Sequence, residues 1–327
     1  MVVAVVGATG LVGRKMLQVL AERNFPLTSL RLFASEKSKG KKIEFKGKEY
    51  EVEVLNENSF EGINVALFSA GSDSSKEFAP IAAKHKCFAI DNSSAWRMVK
   101  NIPLVVPEVN PHHLTSDSYI IANPNCSTIQ LMVALKPIQD NFGLKRVICS
   151  TYQSITGAGQ SGLDKLNSEI EDETLNQDTH RIAFNTMFHP FADNGFTVEE
   201  NKMINESRKI LDLPNLNIAV TCVRLPIIGG HAESVNFTTE KPFTMPELRE
   251  TLSQMEGLEV VDDIETNNYP TPYLVNDKDG VFVGRLRNDV TAENSAYMWV
   301  VSDNLRKGAA TNAVQIAEKL LEMGLVK

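Results

Sequence analysis

The chain has 327 residues, 43% of them hydrophobic, and a formal net charge of −8; at roughly 100–200 residues per domain this predicts two domains with ample cores and excludes a disordered chain. The negative balance opposes non-specific attraction to nucleic acid or anionic membrane, although KSKGKK at Lys37–Lys42 runs locally the other way. No apolar run reaches the roughly 18 residues of a bilayer span, MVVAVVG has no basic n-region or cleavage site, and Cys87, Cys126, Cys149 and Cys222 form no CxxC pair. A cytoplasmic protein with reduced thiols, no metal site and a small-molecule partner is expected.

Val2–Val6 is a β-branched and apolar run that ends at Gly7, and Leu11–Arg23 then carries apolar residues at helical spacing. That predicts a strand, a tight turn and a helix. Leu30–Ala34, Val52–Val54, Val65–Ala70, Phe88–Ile90 and Tyr119–Ala122 read as further short strands, with intervals long enough for crossovers. The fold class is therefore α/β, a Rossmann-type doubly wound parallel sheet. Past an apolar helix beginning near Ser127 come longer strands, Lys145–Gln153, Ile218–Val223 and Ala232–Thr239, which predict an α+β domain with a mixed, largely antiparallel sheet covered on one face by helices. Asn267–Gly280, rich in Pro, Asn and Asp, reads as loop. Gly308–Leu325 reads as a helix that returns to the first domain, so the expected division is 1–125 with 305–327 for nucleotide binding, and 126–304 for catalysis and dimerisation.

Gly7, Gly10 and Gly13 of GATGLVG fall where backbone amides at a helix N-terminus can approach a pyrophosphate. Their spacing is GxxGxxG, and the position directly after a strand is what gives it weight. After the second strand an NAD site usually offers an acidic residue to the ribose. Here the chain continues as Ser35, Glu36, Lys37, Ser38, whose hydroxyls and cation suit a 2′-phosphate, with Glu36 expected to face solvent.

Cys126 follows the Pro-containing turn of IIANPNCSTIQ and precedes an apolar helix, with Ser127 or Thr128 available as a cap. Helix N-terminal amides favour a thiolate, the nucleophilic form. The other three cysteines sit in apolar strand contexts and read as inert. Among six histidines, His231 stands apart because Gly229 and Gly230 present it at the start of a strand, which makes it the general acid and base candidate; the other five read as structural. Arg224, on the preceding strand, can clamp a carboxylate.

With GATGLVG, DNSSAWR at Asp91–Arg97, NPNCSTIQ, TYQSITGAGQSG at Thr151–Gly162, RLPIIGGHAES from Arg224 and DNLRKGAATNAVQIAE at Asp303–Glu318, the chain resembles the aspartate-β-semialdehyde dehydrogenases over nearly its whole length. The resemblance implies reversible, NADPH-dependent reduction of β-aspartyl phosphate to aspartate β-semialdehyde through a Cys126 thioester, in biosynthesis of lysine, threonine, methionine and isoleucine. It further implies Gln153 as the residue orienting the carbonyl, His231 as acid and base, and Arg224 on the α-carboxylate. Glu199 would meet the amino group, Arg97 and Lys202 the phosphate, with Asn125 also in the substrate site. For NADP it implies Gly7, Thr9, Gly10, Leu11, Val12, Gly13, Ser35, Lys37, Ser38, Gly71, Ser72, Gly159 and Asn304. Lys37 stands where the family frequently has arginine, and Lys39 where it has alanine. Members resemble homodimers or homotetramers. N-acetyl-γ-glutamyl-phosphate reductases usually carry NPGCY at the thiol where this chain has NPNCS, and glyceraldehyde-3-phosphate dehydrogenases resemble SxSCTTN. A non-catalytic NADPH or redox sensor is the remaining alternative, and it has no evident need of a carboxylate clamp.

Overall fold

A computed structural model describes residues 1–175 and 180–326. The chain divides into two compact units, Met1–Asn125 with Ala309–Lys327, and Cys126–Gly308. No described helix is long and apolar enough to cross a membrane.

In the first unit β1 (Val2–Val6) leads into α1 (Leu11–Glu22), followed by β2 (Ser29–Phe33), the hairpin β3 (Lys42–Phe45) and β4 (Lys48–Glu53), β5 (Val65–Phe68), α2 (Ser72–Lys84), β6 (Phe88–Asp91) and β7 (Ile120–Ala122). The sheet order is β3-β4-β2-β1-β5-β6-β7, parallel throughout except for the β3–β4 hairpin at its edge. Both faces are covered, which explains why the central strands β1 and β5 are uninterrupted apolar runs rather than alternating ones. Val3, Val5, Leu32 and Leu67 pack with Met16 and Leu20 of α1 and with Val314, Ile316 and Leu320 of the C-terminal helix Thr311–Glu322. Ala4, Val6, Phe33 and Phe68 pack with Ala79 and Ala82 of α2. The chain crosses to opposite sides of β1 to reach β2 and β5, so the carboxyl end of β1 is the crevice where such sheets bind ligands.

The second unit contains α3 (Cys126–Phe142), β8 (Leu144–Ser154), α4 (Gln160–Glu171), β9 (Met187–Phe188), α5 (Val198–Ile210), β10 (Asn217–Leu225), β11 (His231–Thr239), α6 (Met245–Ser253), β12 (Leu258–Val260), α7 (Pro272–Val275), β13 (Val281–Asn288) and β14 (Ser295–Ser302). Its sheet runs β12-β13-β14-β11-β8-β10-β9 and is mixed: β8–β10 and β12–β13 are parallel, the other pairs antiparallel. Residues Ser127–Leu135 of α3 are all buried, as expected of a helix apolar on every side. The 267–280 stretch is not wholly loop. Pro at the first helical position and the Thr271 hydroxyl, which accepts from the Leu274 amide at 3.3 Å, start the single turn α7. The C-terminal segment also differs from a plain helix, because Arg306–Ala310 forms a π-helical turn before the α-helix begins.

On the covered face of the second sheet, Glu233 of β11 stands opposite Thr151 of β8 and is fully buried, with Gln130 of α3 beside it. Burial pushes its carboxyl well above the usual range, and Gln130 opposes this only in part. Because the folded pKa is raised above the unfolded value of about 4.3, the folded state keeps a proton that the unfolded chain releases as pH rises, so this group costs stability above that pH. Glu233→Gln is therefore expected to raise the urea midpoint over wild type at pH 8, with the gain shrinking towards pH 4. A gain that does not change with pH would show that burial of a titrating carboxyl is not its source.

Candidate active site

The first unit supplies a cradle for a dinucleotide. Gly7 has φ +87°, and a Cβ there would stand 2.5 Å from the Ser69 carbonyl oxygen; a Cβ on Gly13 would run into the Gly7 carbonyl. Those two glycines are required by the turn itself. At Gly10 an added Cβ would meet only the Gly7 oxygen, at 3.4 Å, so the space over this exposed residue is open. The first-turn amides of α1, from Leu11, Val12 and Gly13, have no intrahelical acceptor by construction and face an N-terminus without an acidic side chain. Thr9 meets Ser38, whose hydroxyl lies 3.5 Å from the Thr9 hydroxyl, while Ser35 and Lys37 are exposed beside it and Glu36 points to solvent near Lys39. Gly71, with φ +86°, caps α2, and Ser72 lies 3.4 Å from Ser94 through their hydroxyls. Arg97, almost fully buried, donates to the Asn92 carbonyl at 2.9 Å within a turn that Asp91 closes through Ser93. Asn125, also buried, ends this unit.

The second unit brings Arg224, Gln153 and His231 into one row. Register pairs Arg224 of β10 with Gln153 of β8, and Gln153 with His231 of β11, so three neighbouring strands present the three side chains on the face that α3 and α5 cover. Arg224 and His231 are close in sequence, yet β8 lies between their strands. A Cβ added at Gly157 would touch both, at 3.4 Å from His231 Nε2 and 3.5 Å from Arg224 Nη1. Gln153 Nε2 donates to the Ser127 hydroxyl at 2.9 Å and to Glu199 Oε1 at 3.4 Å, joining the first turn of α3 and the start of α5 to the row. Glu199 Oε2 lies 3.1 Å from Lys202 Nζ. α5 is held by a capping box between Thr197 and Glu200, and Glu200 Oε1 also accepts the Cys222 amide at 3.0 Å.

Cys126 is the first residue of α3, so Ser127 and Thr128 lie inside its first turn rather than capping it from outside. Cys126 is a partly exposed residue, unlike Cys87, Cys149 and Cys222, whose burial pushes their thiols up. Close packing holds it: a Cβ on Gly308 would approach the Cys126 Cβ to 2.9 Å. Thr156 donates to Asn304 Oδ1 at 3.1 Å, and Gly159, at φ +74°, precedes α4.

His231 is fully buried, and its Nδ1 accepts the Ser154 amide at 3.0 Å. A backbone amide only donates, so the neutral ring carries its proton on Nε2, which has no hydrogen-bond partner among the described residues. Burial, then the Arg224 charge, brings its pKa down to about 3 against the opposing Glu199 charge. Burial lowers Arg224 as well, while Glu199 and Cys126 act the other way. His189, read from sequence as structural, lies 3.2 Å from Arg224 Nη2 through Nδ1. Only its position just ahead of the acidic start of α5 could have signalled this.

A doubly wound parallel sheet with a glycine cradle, joined to a unit bearing a helix-start cysteine and a row of imidazole, glutamine and arginine, defines a dinucleotide-linked oxidoreductase of the semialdehyde dehydrogenase class. Residues 2–117 match the family described as semialdehyde dehydrogenase, NAD binding domain, and residues 135–307 the semialdehyde dehydrogenase, dimerisation domain. The chain is 52% identical to an aspartate-semialdehyde dehydrogenase of Aquifex aeolicus (strain VF5), with 99% of each covered, and 48% identical to one of Bacillus subtilis (strain 168), covering 99% of this chain and 98% of the relative. Among solved structures, aspartate semialdehyde dehydrogenase II of Vibrio cholerae complexed with ASA superposes with a TM-score of 0.94 at 45% identity, covering 98% of each chain. The chain belongs to the aspartate-semialdehyde dehydrogenase family.

Proposed function

We propose that the chain reduces β-aspartyl phosphate to aspartate β-semialdehyde and phosphate, reversibly, with NADPH. The observation that carries this reading is the row of Arg224, Gln153 and His231, to which Ser127 ties the first turn of the Cys126 helix. Cys126, as the thiolate, attacks the acyl carbon, the carbon–oxygen bond to phosphate breaks with phosphate leaving as the anion, and a thioester remains on the sulfur. When bound, NADPH supplies the hydride that this thioester accepts. Gln153 and the Nε2–H of His231 hold the oxygen as it turns negative; when the carbonyl re-forms the carbon–sulfur bond breaks and Cys126 leaves as the thiolate, with His231 as the acid and base; one such donor contributes on the order of 3 kcal/mol. Arg224 holds the α-carboxylate, Glu199 the amino group, and Arg97, Lys202 and Asn125 complete the substrate site.

The cradle of Gly7, Thr9, Gly10, Leu11, Val12 and Gly13 fits a dinucleotide pyrophosphate. Ser35, Lys37 and Ser38 fit a 2′-phosphate, Gly71 and Ser72 flank the dinucleotide, and Gly159 and Asn304 line the nicotinamide pocket. The dimerisation-domain match supports a homodimer as the smallest assembly, and a reactive thiol suits the reducing cytoplasm. The test is phosphate-dependent reduction of NADP by aspartate semialdehyde against N-acetylglutamate semialdehyde. Strong preference for the first is expected. Preference for the second would reassign the substrate, and activity with neither would leave a sensor.

A further inference from the structure

His189 sits in the loop between β9 and α5 and is 8% exposed. A guanidinium carries donors only, so in the 3.2 Å contact with Arg224 Nη2 the His189 Nδ1 must be the acceptor, and the ring proton is on Nε2. Nε2 is itself buried and makes no hydrogen bond among the described residues. A histidine retained for packing alone would have both nitrogens satisfied or wet. This one gives its acceptor to the residue that clamps the substrate, and it lies within electrostatic reach of Glu199, Lys202 and Glu200 as well.

The arrangement constrains the ring's charge. A protonated His189 would have no lone pair for Arg224 and would set a second cation against it. Burial above all, with Arg224 and Lys202 adding to it and Glu199 and Glu200 opposing, holds the imidazole down to about 4, so the acceptor is present at neutral pH. The other arm of the fork is held more loosely, Nη1 standing 3.4 Å from the Ile155 carbonyl. The His189 contact is thus the shorter of the two that fix the plane of the guanidinium.

We propose that His189 is a positioning residue for carboxylate recognition: its Nδ1 fixes the Arg224 fork in the plane that receives the substrate α-carboxylate. This rests on the reading that Arg224 binds that carboxylate, and 3-aminopropanal, which is aspartate semialdehyde without the carboxylate, separates the two ideas. Wild type is expected to use 3-aminopropanal far less well than aspartate semialdehyde. Equal use would remove the role of Arg224 and this inference with it.

Given that discrimination, His189→Ala is expected to raise the KM for aspartate semialdehyde about tenfold, the loss of one charge-assisted hydrogen bond. Its kcat should change by less than about threefold, and its KM for NADP and its use of 3-aminopropanal should not change. His189→Asn places an oxygen where Nδ1 stands and should restore most of the KM, whereas His189→Gln, whose amide reaches the Nε2 position, should not. If the alanine variant does not fold, the asparagine and glutamine pair carries the same test. An unchanged KM in His189→Ala, a parallel rise in the KM for NADP, or equal behaviour of the asparagine and glutamine variants would each overturn the proposal while leaving Arg224 in place.

Discussion

Cys126→Ala is expected to abolish reduction of NADP by aspartate semialdehyde, a fall of roughly 10⁴-fold or more, while the dissociation constant for NADPH moves by less than about threefold. The two readouts separate because they depend on different units of the chain. In the proposed reading dinucleotide affinity comes from the Gly7–Gly13 turn and the Ser35–Ser38 segment, and Cys126 belongs to the other unit. A methyl group in place of the thiol leaves the packing of α3 intact, since Cβ is what meets Gly308. What disappears is the only candidate nucleophile for the thioester: the other three sulfurs are buried, with their thiols pushed up. Turnover of β-aspartyl phosphate by the alanine variant at even a few per cent of wild type would end the covalent mechanism.

Arg224→Lys should raise the KM for aspartate semialdehyde and lower kcat, with kcat/KM down by about 30-fold or more, equivalent to at least 2 kcal/mol of lost transition-state stabilisation. A lysine keeps the charge and loses the planar fork. It also cannot reproduce the paired contacts to His189 and Ile155, so the ammonium would sit without the support that fixes the guanidinium plane. Wild-type kinetics in this variant would show that a point charge suffices and that the clamp is misassigned. A loss confined to kcat, with unchanged KM, would place Arg224 on the reacting group and not on the carboxylate.

The first unit was legible because its physics is local. A buried β-branched strand, a glycine that must take positive φ and an amphipathic helix follow one another within some twenty residues, and the unbroken apolar runs of β1 and β5 already imply a sheet covered on both faces. Cys126 could be singled out for the same reason, although the helix starts on the cysteine itself and Ser127 has a different task, receiving Gln153. The rest depended on strand pairing, which sequence order conceals. Arg224 and His231 read as lying on consecutive strands, and nothing local says that β8 inserts between them. Glu233 and Gln130 meet across strand and helix although about a hundred residues separate them, so the buried carboxyl was not foreseen. His189 escaped because a histidine in a loop has no periodicity, and its partner lies 35 residues further along.

The row formed by Arg224, Gln153 and His231 also sets a scale. Adjacent strands in a sheet lie about 4.8 Å apart, so the intervals between the points from which these three side chains project are dictated by main-chain hydrogen bonding and not by flexible connections. A pocket gauged in this way resists stretching or compression by mutation of its lining. A change of ligand size would then fall to the flanking segments, such as the 155–159 turn whose Gly157 lies against both His231 and Arg224, while the three anchors keep their separation.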